Sequence, residues 1–473
     1  MTITKQTNIK KEAGFASNRT YNEIVAWLDS RWEQTRTKEN LQIIKKLDQI
    51  LGLPSKAVNT ILVAGTNGKG LAIHFTTQLF QEEKISVGSF YSPHILSYNE
   101  RIAINNESVP NKIFTEIANE VINAAETNNL KPQSIDVLTM MALLHFKNTN
   151  VDVAILEVSE NTSWHPLTIC SPKITAITRV STDGSNVPNT EVENNIDETL
   201  NFVKEDTLVI SADQSKLNLQ YISDLVKERK GKWLMPIRKL ANLPYPFEQL
   251  HGRSAALAER IAQTYVDNFV TQDATFISNS LLVKPKGQRG RPTTEAKREL
   301  ELNPRKTVEQ FWKEAGSFLT GRFQLLEKEK PTILLDNASN IDAFDNFLLG
   351  IRLLHYKHPL KGLALIVGCT QDSLETEEFL KSVRYFFKKT SGQLIVCPIS
   401  KAVPGESYKP SWDVETVIND VKGFKIKAKL ANNFEDAIEI AKKLVDDRHG
   451  LIAITGSHAI IKEYWENKGI KKL

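Results

Sequence analysis

Ile61-Leu62-Val63-Ala64-Gly65-Thr66-Asn67-Gly68-Lys69-Gly70-Leu71 runs from an apolar stretch into a glycine-rich turn with one lysine, and a helical pattern from Ala72 to Phe80 follows at once. The order is strand, anion loop, helix. Three glycines within six residues let successive backbone N–H groups point into one concavity without Cβ obstruction. The helix N-terminus behind them adds its dipole, so phosphate is the guest that suits this loop, with Lys69 as a point charge for the outer phosphates. The spacing is not GxxxxGK[ST]: Val63 stands where the first glycine would be, and Gly70 follows Lys69 in place of a hydroxyl residue.

Outward from that loop, the chain has 473 residues, 41% hydrophobic and 25% charged, enough for two or three domains with the balance of an ordinary globular protein. Its 60 basic and 56 acidic residues leave a net charge of only +4, which makes no case for nucleic acid as a partner. Cys170, Cys369 and Cys397 stand far apart without CxxC or histidine spacing, so they read as small buried hydrophobes and not as a disulfide framework or zinc site. No window approaches the ~20 apolar residues of a membrane span. Residues 1–20 are a polar tail without the apolar core of a signal peptide, and the expected place is the cytoplasm.

Upstream of the loop, Ile24, Val25, Trp27 and Leu28, then Leu41, Ile44 and Leu47, recur at helical spacing, so two helices precede the first strand. Downstream, Ile85 to Ser89 reads as a strand ending in the loop Tyr91 to Ile102. This loop gathers Ser92, Pro93, His94, Asn99, Glu100 and Arg101, and reads either as a solvated connection or as a substrate-contacting loop on a rigid scaffold. Helical patterns at Asn111 to Glu126 and Val137 to Asn148 precede the apolar runs Val153 to Val158, Lys173 to Val180 and Thr207 to Ser211. Largely apolar strands spaced by helices imply a parallel sheet covered on both faces, with ligands at the carboxyl ends of its strands. Glu157 falls on that rim, as a magnesium ligand or as a solvated strand-end carboxylate.

Ser254 to Val270 reads as the helix that closes a first domain spanning 21–283. Residues 284–306 are rich in Lys, Arg, Gly and Pro and read as a basic linker or exposed insertion. From 307 to 473, the runs Thr332 to Leu335, Leu363 to Val367, Leu394 to Val396 and Leu451 to Ile454 alternate with helical patterns such as Ala343 to Leu353 and Asn433 to Val445. That is a compact open α/β domain.

Taken together, Ala64 to Gly70, Ser92-Pro93-His94 with Asn99 to Ile102, Leu156-Glu157-Val158, Gly321-Arg322-Phe323, Asp336 to Asn340 and Gly456-Ser457 resemble the folylpolyglutamate synthase and dihydrofolate synthase family, a branch of the Mur ligases. The resemblance runs from about Tyr21 to the C-terminus. It implies a P-loop-type Mur ligase central domain with a parallel sheet, joined to a smaller Rossmann-like α/β C-terminal domain, with the site in the cleft between them. It implies ATP bound by Gly65, Thr66, Asn67, Gly68, Lys69, Gly70, Arg322 and Asp336. A folate-like acid would be held by Ser92, Pro93, His94, Asn99, Glu100 and Arg101, and magnesium by Glu157. The implied reaction activates a carboxylate as an acyl phosphate with MgATP and lets the amine of L-glutamate displace phosphate, in a cytoplasmic monomer that acts on small molecules.

Departures from the family pattern concentrate where that chemistry would occur. Leu71 replaces the Ser or Thr that contributes to the metal site, and Ser159 to Pro166, including Glu160 and Ser163, replaces a run bearing Gly-Gly-Arg and Asp-Ala-Thr-Asn. Asp183-Gly184 stands for Asp-His, Thr199 for a carbamylated lysine, and Ser339 for a histidine. Losing those ligands removes protein support for magnesium in a reaction that depends on positioning and metal neutralisation. Two expectations follow: a divergent ligase, or a degenerate relative that binds nucleotide or another protein without ligation. An unrelated P-loop NTPase would leave the Ser92 to Ile102 and Gly321 to Phe323 matches unexplained.

Overall fold

The computed structural model describes residues 17–32, 36–159, 164–181, 189–212, 214–235, 241–283, 298, 306–315, 319–371, 374, 376–400, 403 and 410–473. The expectations for residues 1–16, 160–163, 183, 184 and all but two of 284–306 lie outside them. Two sheets organise the chain. The first has eight strands: β1 (Asn59–Ala64), β2 (Val87–Phe90), β3 (Ile102–Ile104), β4 (Glu107–Ser108), β5 (Val153–Glu157), β6 (Ile174–Ile177), β7 (Leu208–Ser211) and β8 (Lys232–Leu234), in the order β4-β3-β2-β5-β1-β6-β7-β8. The second has six: β9 (Gln324–Leu326), β10 (Thr332–Leu335), β11 (Leu363–Val367), β12 (Gln393–Val396), β13 (Ala428–Leu430) and β14 (Leu451–Thr455), in the order β13-β12-β11-β14-β10-β9.

Both sheets are buried on two faces, which is why their inner strands are apolar without alternation. Along β1 the pleat sends Leu62 and Ala64 to one face, with Phe90, Leu156 and the helix Ser134–Asn148, while Ile61 and Val63 meet Phe75, Ile155 and Ile174 on the other. In the second sheet Leu334, Leu365 and Leu394 face one side, and Ile333, Ile366 and Ile395 the other.

The sheets are mostly parallel, but each has an antiparallel margin: β3 pairs antiparallel with β2 and β4, and β9 with β10. The first of these corrects the reading of Tyr91 to Ile102 as loop throughout, because Ile102 opens β3 and a hairpin returns into β4. Asn105 (φ 53°) and Asn106 (φ 67°) form its turn, and both take the left-handed backbone that asparagine tolerates and two-residue hairpins require. A third helix, Pro54–Ala57, also stands before β1.

The long helix Phe247–Phe269, which begins seven residues earlier than expected, serves both cores. Ala255, Leu257, Ile261 and Val266 pack under the first sheet, while Phe247 and Leu250 pack on the second. The helix Val308–Glu314, assigned from sequence to the C-terminal unit, lies in the core of the first. Its Trp312 is 1% exposed, stands edge-on to Phe75 with centroids 5.4 Å apart, and donates Nε1–H to Glu259 at 3.0 Å. No helix among the described residues is long and apolar enough to cross a membrane.

Trp312→Ala is therefore expected to destabilise the first domain by about 3–5 kcal/mol, the usual range for emptying a buried aromatic site. Urea unfolding followed by far-UV circular dichroism measures this, and a change below about 1 kcal/mol would show that the helix is only loosely attached.

Candidate functional site

The glycine-rich loop is pinned by its neighbour strand. Gly65 leaves β1 at φ +118°, and a Cβ there would stand 2.4 Å from Thr178 Oγ1, so no other residue fits this exit. The amides of Thr66 and Asn67 donate to the Arg179 carbonyl at 2.8 and 3.3 Å, and the Thr66 hydroxyl donates to the Ser181 carbonyl at 3.1 Å. This narrows the sequence expectation, since those two amides serve the fold. The outward-facing donors are those of the first turn of the helix Lys69–Glu82, where Lys69, Gly70 and Leu71 have no preceding carbonyl within the helix. Lys69 folds back over the loop, donating Nζ–H to the carbonyls of Gly65 (2.8 Å) and Thr66 (3.2 Å). Gly68, at φ +91°, caps the helix, and its missing Cβ would lie 2.9 Å from Ser254 Oγ.

Gly70 is the floor of the site. A Cβ on it would stand 3.8 Å from an Arg322 guanidinium nitrogen and 3.8 Å from Glu157 Oε2, and 3.3 Å from Leu319 Cδ1. Loop, strand-end carboxylate and the arginine of the second domain thus converge. Glu157 is buried at the end of β5 and accepts from the Ser92 amide at 3.2 Å. Burial raises its pKa, and the nearby cations Lys69 and Arg322 pull it down. Lys69 is therefore not the lone cation of the cradle.

Arg322 is aimed by Asp336, whose Oδ2 accepts from the Phe323 amide at 2.7 Å and so fixes the Gly321 to Phe323 turn. Burial pushes Asp336 up to about 6 against that bond and Arg322. The sequence missed His458, a buried histidine at the start of the helix His458–Asn467, which bonds the Asn337 side chain and lies among the charges around Glu157 and His94. It follows β14 by three residues, and only the fold brings it to Asn337.

The residues expected to hold substrate are largely occupied within their own loop. Both Glu100 oxygens are taken, by the amides of Ile95 (2.8 Å), Leu96 (2.9 Å) and Ser97 (2.7 Å). Asn99 accepts from the Tyr21 hydroxyl at 2.7 Å and donates to the Val109 carbonyl at 2.8 Å. Arg101, fully buried, donates Nε–H to His94 Nδ1 at 2.8 Å and another N–H to Ser92 Oγ at 2.9 Å, beneath the Trp32 ring. Burial, then Arg101, pushes the His94 pKa far down, so His94 is a neutral acceptor. These side chains shape the loop, and Ile95 at its tip packs with Ile333, Leu335 and Ile461 of the second domain.

The described residues do not by themselves assemble a magnesium site held mainly by the protein. Leu71 lies 7% exposed in the apolar core with Phe75, and the Thr199 hydroxyl donates to the Asn195 carbonyl of its own helix at 2.7 Å. Among the described residues, no group of three or more His, Cys, Asp or Glu is arranged for a metal.

No family model matches the chain. It is 29% identical over 207 residues to the dihydrofolate synthase/folylpolyglutamate synthase of Bacillus subtilis (strain 168), covering 43% of this chain and 48% of that protein. It is 25% identical over 418 residues to a probable bifunctional folylpolyglutamate synthase/dihydropteroate synthase of Haloferax volcanii, covering 79% of this chain and 46% of the relative. The chain thus spans about half the length of these curated relatives. Among solved structures, a Mycobacterium tuberculosis folylpolyglutamate synthase complexed with ADP superposes with a TM-score of 0.73 at 18% identity, covering 95% of this chain and 98% of the other. A bifunctional folylpolyglutamate synthase/dihydrofolate synthase from Yersinia pestis, complexed with AMPPNP and Mn ion, gives 0.68 at 18% identity, covering 97% and 100%. At that identity the structural likeness is one of fold.

Gly70→Ala separates the site from the fold. Alanine favours the helix by roughly 0.5–1 kcal/mol, yet its methyl occupies the floor between Arg322 and Glu157, so, if the loop takes ATP, thermal stability should hold or rise while ATP affinity falls about tenfold or more. Lys69→Ala should weaken ATP to a similar degree by deleting a charge-assisted contact. Isothermal calorimetry with both variants checks this, and wild-type affinity in both would place phosphate elsewhere.

Proposed function

We propose, for a chain that is a divergent relative of the folylpolyglutamate and dihydrofolate synthases, a nucleotide-dependent ligase of that type: it binds ATP with the phosphates on Gly70 and the first helical turn, and joins L-glutamate to a folate-like carboxylate. The observation that carries this reading is the convergence of Lys69, Gly70 and Glu157 of one domain with Arg322 of the other on a single point. In the reaction, a substrate carboxylate oxygen takes the γ-phosphoryl group, ADP leaves, and the glutamate nitrogen then forms a bond to the acyl carbon as phosphate departs and the amine gives up a proton. Lys69, Arg322 and the first-turn amides would bear the phosphoryl charge, which is where positioned donors accelerate such a transfer most. The Ser92 to Ile95 segment, braced from below by Arg101 and Glu100, would present the acid with its tip already seated on the second domain. The same reading carries a cytoplasmic monomer.

One observation favours a second reading, nucleotide binding without ligation: Leu71 points into the apolar core at the position from which an oxygen would support the metal. The experiment that separates the two is incubation of purified protein with MgATP, L-glutamate and reduced or dihydro-folates, with ADP release and product mass followed together. The ligase reading expects ADP and a product heavier by one glutamate, both lost in Lys69→Ala and Glu157→Gln. ATP binding with little magnesium dependence and background ADP release in every mixture would establish the second reading in its place.

A further inference from the structure

Arg179, two residues past β6, works at both ends. Its carbonyl receives the Thr66 and Asn67 amides of the phosphate loop, and its guanidinium reaches Asp342 Oδ1 at 2.6 Å. Asp342 lies in the first turn of the helix Ile341–Lys357 of the second domain, and its other oxygen accepts from Asn67 Nδ2 at 2.9 Å. Asn67 also exchanges a reciprocal pair of amide hydrogen bonds, 3.0 and 2.9 Å, with Asn340, the residue that caps the same helix by accepting from the Ala343 amide. The phosphate loop is therefore tied to the second domain through one network of Arg179, Asn67, Asn340 and Asp342.

We propose that Arg179 and Asp342 form the latch that closes the second domain over the phosphate loop, acting as positioning residues that bring Arg322 to the site and fix the Asn67 side chain. The proposal rests on the nucleotide reading of that loop. An open and a closed arrangement differ in whether this network is made, so its free energy enters nucleotide affinity as a change in the fraction of competent protein. Arg179 is 48% exposed and Asp342 20%, so the ion pair is a weak one, as a closure that must reopen requires. Asp342 also sits where the dipole of its helix favours a carboxylate, so the pair forms without distorting the helix.

The test is charge reversal and exchange in the full chain: Arg179→Asp, Asp342→Arg and the double variant, each measured by small-angle X-ray scattering without nucleotide, by ATP calorimetry and by thermal unfolding. Each single reversal should enlarge the radius of gyration and weaken ATP binding about three- to fivefold at an unchanged unfolding midpoint, and the double variant should recover part of both, because exchanged partners restore the attraction but not the bond from Asn67. Single variants with wild-type scattering and affinity would overturn the latch, as would a double variant that recovers neither. If the wild-type protein binds no ATP, the nucleotide reading fails on its own, and the scattering of the three variants still decides whether the pair closes the domains.

Discussion

Gly65 leaves β1 in a backbone conformation that side chains avoid, at a distance from Thr178 that no Cβ would survive. The site depends on this close approach. It lets the next strand take the Thr66 and Asn67 amides, so the loop is stitched to the sheet, and only the helical turn that follows remains to meet an anion. A loop fixed by two parallel strands cannot adapt its curvature to a guest, so the guest must bring the right shape. Lys69, bonded to two carbonyls of the same loop, is held as part of that rigid surface.

Burial, more than direct pairing, sets the charges opposite. Burial shifts Glu157 and Asp336 towards their neutral forms; Lys69 and Arg322 oppose that shift at Glu157, and the Phe323 amide and Arg322 oppose it at Asp336. Arg322 is thus the shared counter-charge of two carboxylates, one from each domain. An anion arriving beside it would weaken that shared support, so binding and the protonation of these acids are linked.

Sequence reading succeeded where burial is two-sided and failed at margins. The inner strands β1, β5, β6, β7, β10, β11, β12 and β14 are apolar runs and were legible as such, whereas the edge strands β4, β8, β9 and β13, of two or three residues each, carry too little apolar signal to register. Tyr98 to Arg101, a loop by composition, forms a short 3₁₀ turn, and the helix Lys216–Glu228 lies among polar residues that mask its period. Of the candidate site, Gly65 to Gly70, Glu157 and Arg322 were legible as candidates because glycine turns and strand-end charges announce themselves locally. Arg179, Asp342 and His458 were not, since their meaning lies in partners from distant parts of the chain. Glu100 and Arg101 look from composition like contacts for a ligand, and the fold adds what composition does not show, that they also bond the loop's own amides and histidine.

The placement of Trp312 changes where this protein can be divided. A cut in the basic stretch of residues 284–306, the natural choice from composition, would leave Phe311 and Trp312 on the C-terminal piece with nothing to cover them, and would open a hole beside Phe75 in the N-terminal piece. Both halves would then carry exposed apolar surface and tend to associate with themselves. A cut after Ala315 would keep Phe311 and Trp312 with their core, although Ile95 and the bridging helix's Phe247 and Leu250 would still be uncovered as a ready seat for the other half. Chain order and packing order part company here, and dissection should follow the packing.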